Sequence, residues 1–449
     1  MFDLEAKRLT AARNILAAFA QTAQADLCVQ LWNGEVVPLG AGARCDVRIV
    51  LRSADAVRRL VFAPRLATLF ALYAEGEIDI AGATVLEAVA RWDHIRALQA
   101  LRGIGRWRAA LSLWPFLPRA GTAGEAAPGF AAGVPGDYAK GRADRDLVAF
   151  HYDVSNAFFA QFLDARMVYS CGWFANPAVS LDDAQTAKLE RICAKLILQP
   201  GDRFLDIGCG WGALLCHAAL HHGALCHGVT LSQQQFDFCR ETIARLGLQD
   251  RATVELKDYR AIAGAQKYDK IAQIEMFEHV GFANHDLHFT HVRKLLRPRG
   301  LYLHQATTRM ATRDIGAFRK KTGYQDAITR FIFPGGELDH IGLTATNLER
   351  LGFELHDVEA LREHYQLTLT HWARRLEAAM PQAAHAAGPA RARLWLLYFV
   401  LFAKGFERNT VSCFQTLASR RQGGASGLPL ARNSGDTGGR SVQANQKLQ

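Results

Sequence analysis

The stretch RFLDIGCGWGAL, residues 203–214, joins a short apolar run to a glycine-rich turn and then to a helical run that continues to His222. An apolar run of this length that ends at glycine is typical of a buried strand. The same alternation continues on both sides of the stretch. It predicts further helices over 184–198, 232–245 and 287–296, and further strands over 224–230, 253–257, 270–275 and 301–306. Such alternation predicts an open parallel sheet with helices on both faces. The last apolar segment, TVSCFQTLA (410–418), could add a strand at the edge of the sheet.

The glycine-rich turn lies at the carboxyl end of a predicted strand, where open parallel sheets bind their ligands. Its spacing is Gly-x-Gly-x-Gly behind Asp206, whereas dinucleotide sites have Gly-x-Gly-x-x-Gly. We therefore expect S-adenosylmethionine rather than NAD. Gly208 and Gly210 would let the backbone approach the ligand, the helix N-terminus would face its carboxylate, and Asp206 would receive its ammonium group. The alternative is a purely structural turn.

Polar residues also follow the next two predicted strands. Thr230 and Gln235 can donate and accept hydrogen bonds where many nucleotide-binding proteins have an acidic residue for the ribose. Locally it is as plausible that Thr230 or Ser232 caps the next helix and that Gln235 lies on the surface. Asp258 follows the third strand, where the adenine edge of a cofactor would lie. An ordinary polar loop at this position explains Asp258 equally well.

Composition divides the chain into four parts. A small α+β domain is predicted over residues 1–117, with a helix near its start, short alternating strands and helical patterns over 56–73. Residues 118–144 are rich in Ala, Gly and Pro and are interpreted as a linker. The larger domain covers 145–420, and the polar segment 421–449 is expected to be a disordered tail.

Residues 91–119, at the end of the first domain, combine several arginines with tryptophan and phenylalanine. That composition suits a membrane interface. It suits equally well a pair of helices that packs on the second domain and leaves its arginines in solvent.

The 53 basic and 43 acidic side chains give a net charge of +10, which favours polyanions such as nucleic acid or an anionic membrane. The longest apolar run, Leu394–Ala403, is too short to span a bilayer and predicts a buried helix. The first twenty residues carry Asp3 and Glu5 and no cleavage motif, so we expect a cytoplasmic protein. The nine cysteines include no CxxC pair. We expect core thiols in a reducing compartment, with neither a disulfide framework nor a metal site.

Several motifs in this order resemble the cyclopropane-fatty-acyl-phospholipid synthase family. They are HYDVSNAFF (151–159), VYSCGWF (168–174), LDIGCGWGAL (205–214), GVTLSQQQ (228–235), KDYR (257–260) and MFEHVG (276–281). The resemblance covers about His151 to Ser419, and the first domain is similar, more weakly, to that of the longer bacterial synthases. It implies an α/β fold of the class I methyltransferase type, with a doubly wound, mostly parallel sheet and a smaller amino-terminal α+β domain.

The resemblance also implies the chemistry. In that family a cis double bond of an acyl chain in a phospholipid attacks the methyl group of S-adenosylmethionine. A carbocation forms, and a bicarbonate ion takes a proton from the added carbon as the three-membered ring closes. This chemistry needs a dry apolar tunnel and one positioned proton acceptor.

By the same resemblance the bicarbonate site falls on Cys171, Glu278, His304 and Tyr365, while Tyr169 and Ser170 contact the cofactor. Taken singly, each of the four has an ordinary structural interpretation, as a core thiol, a strand-end cap or an anchored aromatic ring. Their joint occurrence in family order favours the site. Two departures stand out: Gln305-Ala306 replaces a larger aliphatic residue near the anion, and Phe402 stands where relatives often have cysteine.

The leading hypothesis is therefore cyclopropane formation on unsaturated phospholipids of an anionic bilayer, by a cytoplasmic enzyme peripheral to the inner face of the membrane. The alternatives are C-methylation of unsaturated lipid without ring closure and methylation of a small molecule. A nucleic-acid-binding module is disfavoured, because no recognised motif accompanies the positive charge. A homodimer is plausible on family precedent.

Overall fold

The computed structural model describes residues 2–91, 114–116 and 154–430. The predicted linker 118–144 lies outside the described residues, as do residues 431–449 of the predicted tail and most of the arginine- and tryptophan-rich segment 91–119. Residues 421–430 are described, and there Leu428 packs against the core of the larger domain.

A four-stranded sheet with the strand order β2-β1-β3-β4 forms the smaller unit. Its β1 pairs antiparallel with β2 and parallel with β3, and β3 pairs antiparallel with β4. The predicted α+β character is thereby confirmed. The strands are β1 (Cys28–Gln30), β2 (Val36–Pro38), β3 (Arg48–Leu51) and β4 (Ile78–Ala81), and the helices are α1 (Phe2–Ala23), α2 (Ala54–Phe62), α3 (Leu66–Glu75) and α4 (Val85–Ala90).

A seven-stranded sheet with the order β10-β11-β9-β8-β5-β6-β7 forms the larger unit. Strands β5 to β9 pair in parallel, and β11 pairs antiparallel with both β9 and β10. The predicted doubly wound, mostly parallel sheet is confirmed. The strands are β5 (Arg203–Ile207), β6 (Leu225–Thr230), β7 (Ala252–Leu256), β8 (Tyr268–Ile274), β9 (Leu296–Arg309), β10 (Phe353–Ala360) and β11 (Val411–Arg420).

Eleven described helices surround and extend this sheet. They are α5 (Asn156–Phe159), α6 (Leu181–Lys195), α7 (Ala213–His222), α8 (Gln233–Arg245), α9 (His285–Leu295), α10 (Ile315–Phe318), α11 (Gly323–Phe331), α12 (Ile341–Arg350), α13 (Arg362–Ala378), α14 (Met380–Ala387) and α15 (Pro389–Glu407). Single helical turns of the 3-10 type cover Tyr259–Ala261, Phe277–His279 and Phe282–Asn284.

The last apolar segment, 410–418, was expected to add a strand at the edge of the sheet; the strand is confirmed, but the expected place at the edge is wrong. Strand β11 lies inside the sheet, and most of its side chains are buried on both faces. The edge strand on this side of the sheet is β10, where all residues after Phe353 are at least partly exposed. The side chains buried on β11 include polar ones, Ser412, Gln415, Thr416 and Ser419, as well as apolar ones.

Helix α15 joins the two units. It packs on α3 and α4 of the smaller unit and on α13 of the larger one. Its apolar run 394–403 is buried, as predicted. Arg393 donates from Nε to the Tyr73 carbonyl (2.7 Å) and from Nη2 to the Ile78 carbonyl (2.8 Å), and its guanidinium lies 4.2 Å from the centre of the Tyr73 ring. In the described part of the chain no helix has the length and apolarity that a membrane crossing requires.

The structure corrects the cysteine interpretation at one pair. Cys28 and Cys45 form a disulfide with Cα atoms 5.1 Å apart, whereas we expected thiols. The parallel pairing of β1 with β3 brings Cys28 beside the loop that precedes β3, a proximity that sequence spacing does not indicate. The other seven cysteines are free and buried, as expected.

Candidate active site

The glycine-rich turn links β5 to α7 through backbone conformations that favour glycine. Gly208, Gly210 and Gly212 have φ angles of 75°, 54° and 87°. A Cβ atom at Gly212 would lie 2.3 Å from the Cys239 sulfur, so this glycine is required for packing against α8. A Cβ atom at Gly210 would meet no atom within 4 Å, because it would project into a cavity.

All eight residues predicted to bind the cofactor line this one cavity. They are Tyr169, Ser170, Asp206, Gly208, Gly210, Thr230, Gln235 and Asp258. They come from the carboxyl ends of β5, β6 and β7 and from the loop before α6, which agrees with the expected position of a ligand in an open parallel sheet. The residues fit S-adenosylmethionine: an acid is present for its ammonium group, and a helix N-terminus for its carboxylate.

A buried lysine that sequence reasoning missed completes the polar end of the cavity. Lys188 of α6 is 2% exposed and donates to the Ser170 hydroxyl at 2.8 Å. Burial raises the pKa of Asp206 to about 7, and the nearby Lys188 charge opposes that rise. A bound ammonium group would favour the carboxylate further. The buried face of α6 also contains Gln185 and Arg191, so no sequence pattern distinguishes Lys188.

The structure separates the two interpretations of the β6–α8 turn. Ser232 is the helix N-cap and accepts from the Gln235 N–H, as the local alternative proposed. Gln235, however, is 4% exposed and accepts a hydrogen bond from the Thr230 hydroxyl at 2.7 Å, so it is not a surface residue. Asp258 accepts from the backbone N–H and from Nε of Arg260, both at 2.9 Å. Thr230, Gln235 and Asp258 therefore reach the cavity in fixed orientations.

A second, larger and mainly apolar cavity meets the first one. Tyr169, Glu275 and His279 line both. The apolar walls are formed by Leu66, Ile328, Phe333, Tyr398, Phe402 and Val411. Because Leu66 belongs to α3, the smaller unit contributes to this wall. Phe402, one of the two departures from the family pattern, adds apolar surface here.

Two of the four predicted catalytic residues converge on an acid that sequence reasoning missed. The Cys171 backbone N–H donates to Glu275 Oε1 at 2.9 Å, and the Tyr365 hydroxyl donates to Glu275 Oε2 at 2.5 Å. Gln305 donates to Oε1 at 2.6 Å, and the Cys413 thiol lies 3.8 Å from the same oxygen. Because these donors already bind a carboxylate of the protein, they do not fit a bicarbonate ion in addition to it.

Glu278 lines the apolar cavity close to this cluster but has different partners. Its Oε1 accepts from the Thr307 N–H at 2.6 Å, and its Oε2 has no hydrogen-bond partner among the described residues. Burial raises the pKa of Glu278 to about 8, and the Glu275 charge adds to the rise. Burial also raises the pKa of Glu275, and the hydrogen bonds that Glu275 accepts oppose that rise. Of the two carboxyl groups, Glu275 has more hydrogen-bond donors to stabilise a negative charge.

His304 does not join the other three predicted catalytic residues through any hydrogen bond in the described chain. Its Nδ1 lies 3.0 Å from the Tyr302 hydroxyl, and its ring meets Phe277 edge to face at 4.7 Å. Burial lowers the pKa of His304 to about 3, so its imidazole is neutral. Neighbouring Ala306 is buried in the same core, while Gln305 alternates to the other face of β9 and reaches Glu275.

One group of metal-ligand side chains occurs in the described part of the chain, although no metal site was expected. The ligand atoms of Cys193, His217 and His222 lie within 4.8 Å of one another, between α6 and α7 and outside both cavities. Glu190 Oε2 lies 3.1 Å from Nε2 of both imidazoles. That carboxylate accounts for the proximity of the two rings, and the absence of a metal stays a prediction.

The fold and the first cavity define a class I, S-adenosylmethionine-dependent methyltransferase. Residues 139–416 match the family model described as mycolic acid cyclopropane synthetase, and the chain belongs to that family of lipid-modifying methyltransferases. It is 38% identical over 279 residues to a probable fatty acid methyltransferase of Pseudomonas putida, covering 62% of this chain and 70% of that one.

Two further relatives support the assignment. The cyclopropane-fatty-acyl-phospholipid synthase of Escherichia coli K12 is 34% identical over 282 residues, covering 63% of this chain and 69% of that one. The structure of the mycolic acid cyclopropane synthase CmaA1 complexed with SAH and CTAB has a TM-score of 0.58 and 29% identity, covering 62% of this chain and 99% of that one. The resemblance deduced from the motifs is confirmed.

Proposed function

We propose that the protein transfers the methyl group of S-adenosylmethionine to the cis double bond of an unsaturated acyl chain in a membrane phospholipid and closes a cyclopropane ring. The observation that carries this proposal is the meeting of the cofactor cavity with a larger, mainly apolar cavity at Tyr169, Glu275 and His279. An acyl chain matches the second cavity in polarity. The fatty acid methyltransferase and phospholipid synthase relatives support a lipid substrate.

The residues of the site perform three tasks in this reaction. When bound, S-adenosylmethionine supplies an electrophilic methyl group. Asp206 and the turn at Gly208 and Gly210 hold its amino-acid end and orient it toward the second cavity. The apolar walls exclude water, which would otherwise trap the carbocation formed on the acyl chain. Tyr169, stacked on Trp372 with ring centres 5.0 Å apart, presents an aromatic ring where that positive charge develops.

A second candidate is C-methylation without ring closure. It is favoured by the similarity to the probable fatty acid methyltransferase and by Ala306, which departs from the family pattern. The two reactions differ in which carbon loses the proton: loss from the added methyl carbon closes a ring, and loss from the chain leaves an alkene. Methylation of a small molecule is the third candidate, although a polar acceptor would leave the apolar walls without a partner.

Mass spectrometry of fatty acids from cells that express the chain and receive methyl-labelled methionine distinguishes these candidates. We expect an acyl species heavier than its unsaturated precursor by one methylene unit, 14 mass units plus the mass of the retained label, and resistant to mild hydrogenation. A labelled species that takes up hydrogen would identify methylation without cyclisation. The absence of labelled lipid, in cells where the protein is folded and abundant, would exclude a lipid acceptor.

We further propose that the protein acts at the cytoplasmic, anionic face of a membrane, as a peripheral protein and possible homodimer that does not bind nucleic acid. The net charge of +10 supports attraction to such a surface. Flotation with liposomes should require anionic lipid and decline with salt. Tight binding to RNA without binding to anionic liposomes would contradict this proposal, and light scattering would report the oligomeric state.

A further inference from the structure

The backbone at Glu275 has a left-handed conformation that is uncommon for a residue with a side chain. Strand β8 ends at Ile274, and Glu275 follows with a φ angle of 54°, in the left-handed region. That region favours glycine, and other residues persist there where their surroundings hold them in place. The Glu275 N–H donates to the Gln305 carbonyl at 2.8 Å, which fixes this turn against β9. The carboxylate is thereby aimed from the sheet end into the site.

The hydrogen bonds of this carboxylate leave one position open. A carboxylate has about four lone-pair positions. The Cys171 N–H and the Gln305 amide occupy those of Oε1, and the Tyr365 hydroxyl occupies one of Oε2. One lone pair of Oε2 remains available to a proton. Glu275 lines both cavities, so this residue lies where the methyl donor and the acyl chain of the proposed reaction would meet.

We propose that Glu275 is the proton acceptor of this enzyme and that its carboxylate takes the place that the family resemblance assigns to bicarbonate. The inference rests on the proposed function for the identity of the proton donor. Glu278 is the less suitable acid, because it has one hydrogen-bond donor, whereas Glu275 has three N–H or O–H donors and the weaker Cys413 thiol. Tyr365 and Gln305 are positioning residues that hold the acceptor.

The proton balance of the step is complete without a further reactant. Methyl transfer leaves a positive charge on the acyl chain. A C–H bond of the added methyl group then breaks, its proton goes to Oε2 of Glu275, and its electron pair forms the second bond of the ring. The products are the cyclopropane, S-adenosylhomocysteine and a neutral Glu275. Loss of the proton to water after product release restores the carboxylate.

Binding of ¹³C-labelled bicarbonate, followed by NMR with S-adenosylhomocysteine present, tests the inference independently of the lipid. We expect no saturable binding to the wild type or to Glu278→Gln. Glu275→Gly should bind bicarbonate, because it relaxes the backbone and leaves the donors of Cys171, Gln305 and Tyr365 facing an empty volume. Saturable binding to the wild type, unaltered in Glu275→Gly, would overturn the inference.

Turnover supplies the second arm. Wild-type activity on unsaturated phospholipid should be the same in bicarbonate-depleted and bicarbonate-supplemented buffer. Glu275→Gln should lower turnover by at least about 100-fold, with S-adenosylmethionine affinity and melting temperature retained. Glu275→Gly should be inactive in depleted buffer and partly restored by bicarbonate or formate.

Stimulation of the wild type by bicarbonate, or full activity of Glu275→Gln, would disprove the role of Glu275. A wild type that methylates no lipid would contradict the proposed function and leave the NMR result to decide the inference.

Discussion

At the scale of single residues, the burial of Glu278 should make the folding stability of the protein depend on pH. Its pKa is raised to about 8 in the folded protein, against 4.5 for an unperturbed glutamate, because burial disfavours the charged form. The unfolded chain therefore releases this proton at lower pH than the folded chain, and stability falls as pH rises from about 4.5 to 8. We expect Glu278→Gln to raise the melting temperature by at least about 2 °C more at pH 8 than at pH 5.

The control for this measurement is Glu349→Gln, which changes an exposed glutamate on α12. It should shift the melting curves equally at both pH values. An identical pH profile for the wild type and Glu278→Gln would mean that Glu278 is ionised in the folded protein. Turnover of Glu278→Gln should fall while cofactor binding persists, because the change alters the charge next to Glu275 and not the cofactor cavity.

Gly210 allows a second prediction, on cofactor binding. Gly210→Val should abolish S-adenosylmethionine binding in calorimetry, because the new side chain would project into the first cavity. Gly201→Val is a matched control: Gly201 also has a positive φ angle, 85°, and open space around its Cβ position, but it does not line the cavity. Both variants carry backbone strain of roughly 1–2 kcal/mol. Equal loss of cofactor affinity in both would attribute the effect to strain.

At the scale of helices and strands, the parts predicted from the sequence are those that local pattern determines. Strands β5, β6, β8 and β9 follow from apolar runs bounded by turns, and the eight cofactor-site residues follow from the rule that ligands lie at the carboxyl ends of such strands. Strand β10 was missed because, at the edge of the sheet, it keeps only Phe353 fully buried. The position of β11 depends on pairing between distant segments.

The catalytic residues show the same limit. Glu275 was taken as the last residue of a predicted strand, and its role emerges only where Cys171, Gln305 and Tyr365 meet it from three other parts of the chain. Gln305 was noted as a departure from the family pattern, but its partner was not foreseen. Two glutamates three residues apart after a buried strand were the available signal. Family order predicted Cys171 and Tyr365 at this place, whereas the acid that they contact, Glu275, is apparent only from the packing.

At the scale of the whole molecule, Arg393 couples the smaller unit to the substrate cavity. Its guanidinium bonds two carbonyls on α3 and β4, and α3 contributes Leu66 to the cavity wall. Arg393→Met keeps the apolar stem and removes these bonds, so α3 should loosen from α15. We expect faster hydrogen exchange in residues 66–81 and at least about a threefold rise in KM for lipid, with S-adenosylmethionine affinity unchanged, since a loss of about 1 kcal/mol corresponds to a factor of five.

Arg374→Met, at an exposed arginine on α13, removes the same charge from the surface and controls for membrane attraction. If both variants weaken lipid turnover equally, the rise in KM is due to lost positive charge at the membrane and not to the contact between α3 and α15. If Arg393→Met also loses S-adenosylmethionine affinity, the smaller unit supports the fold of the whole enzyme.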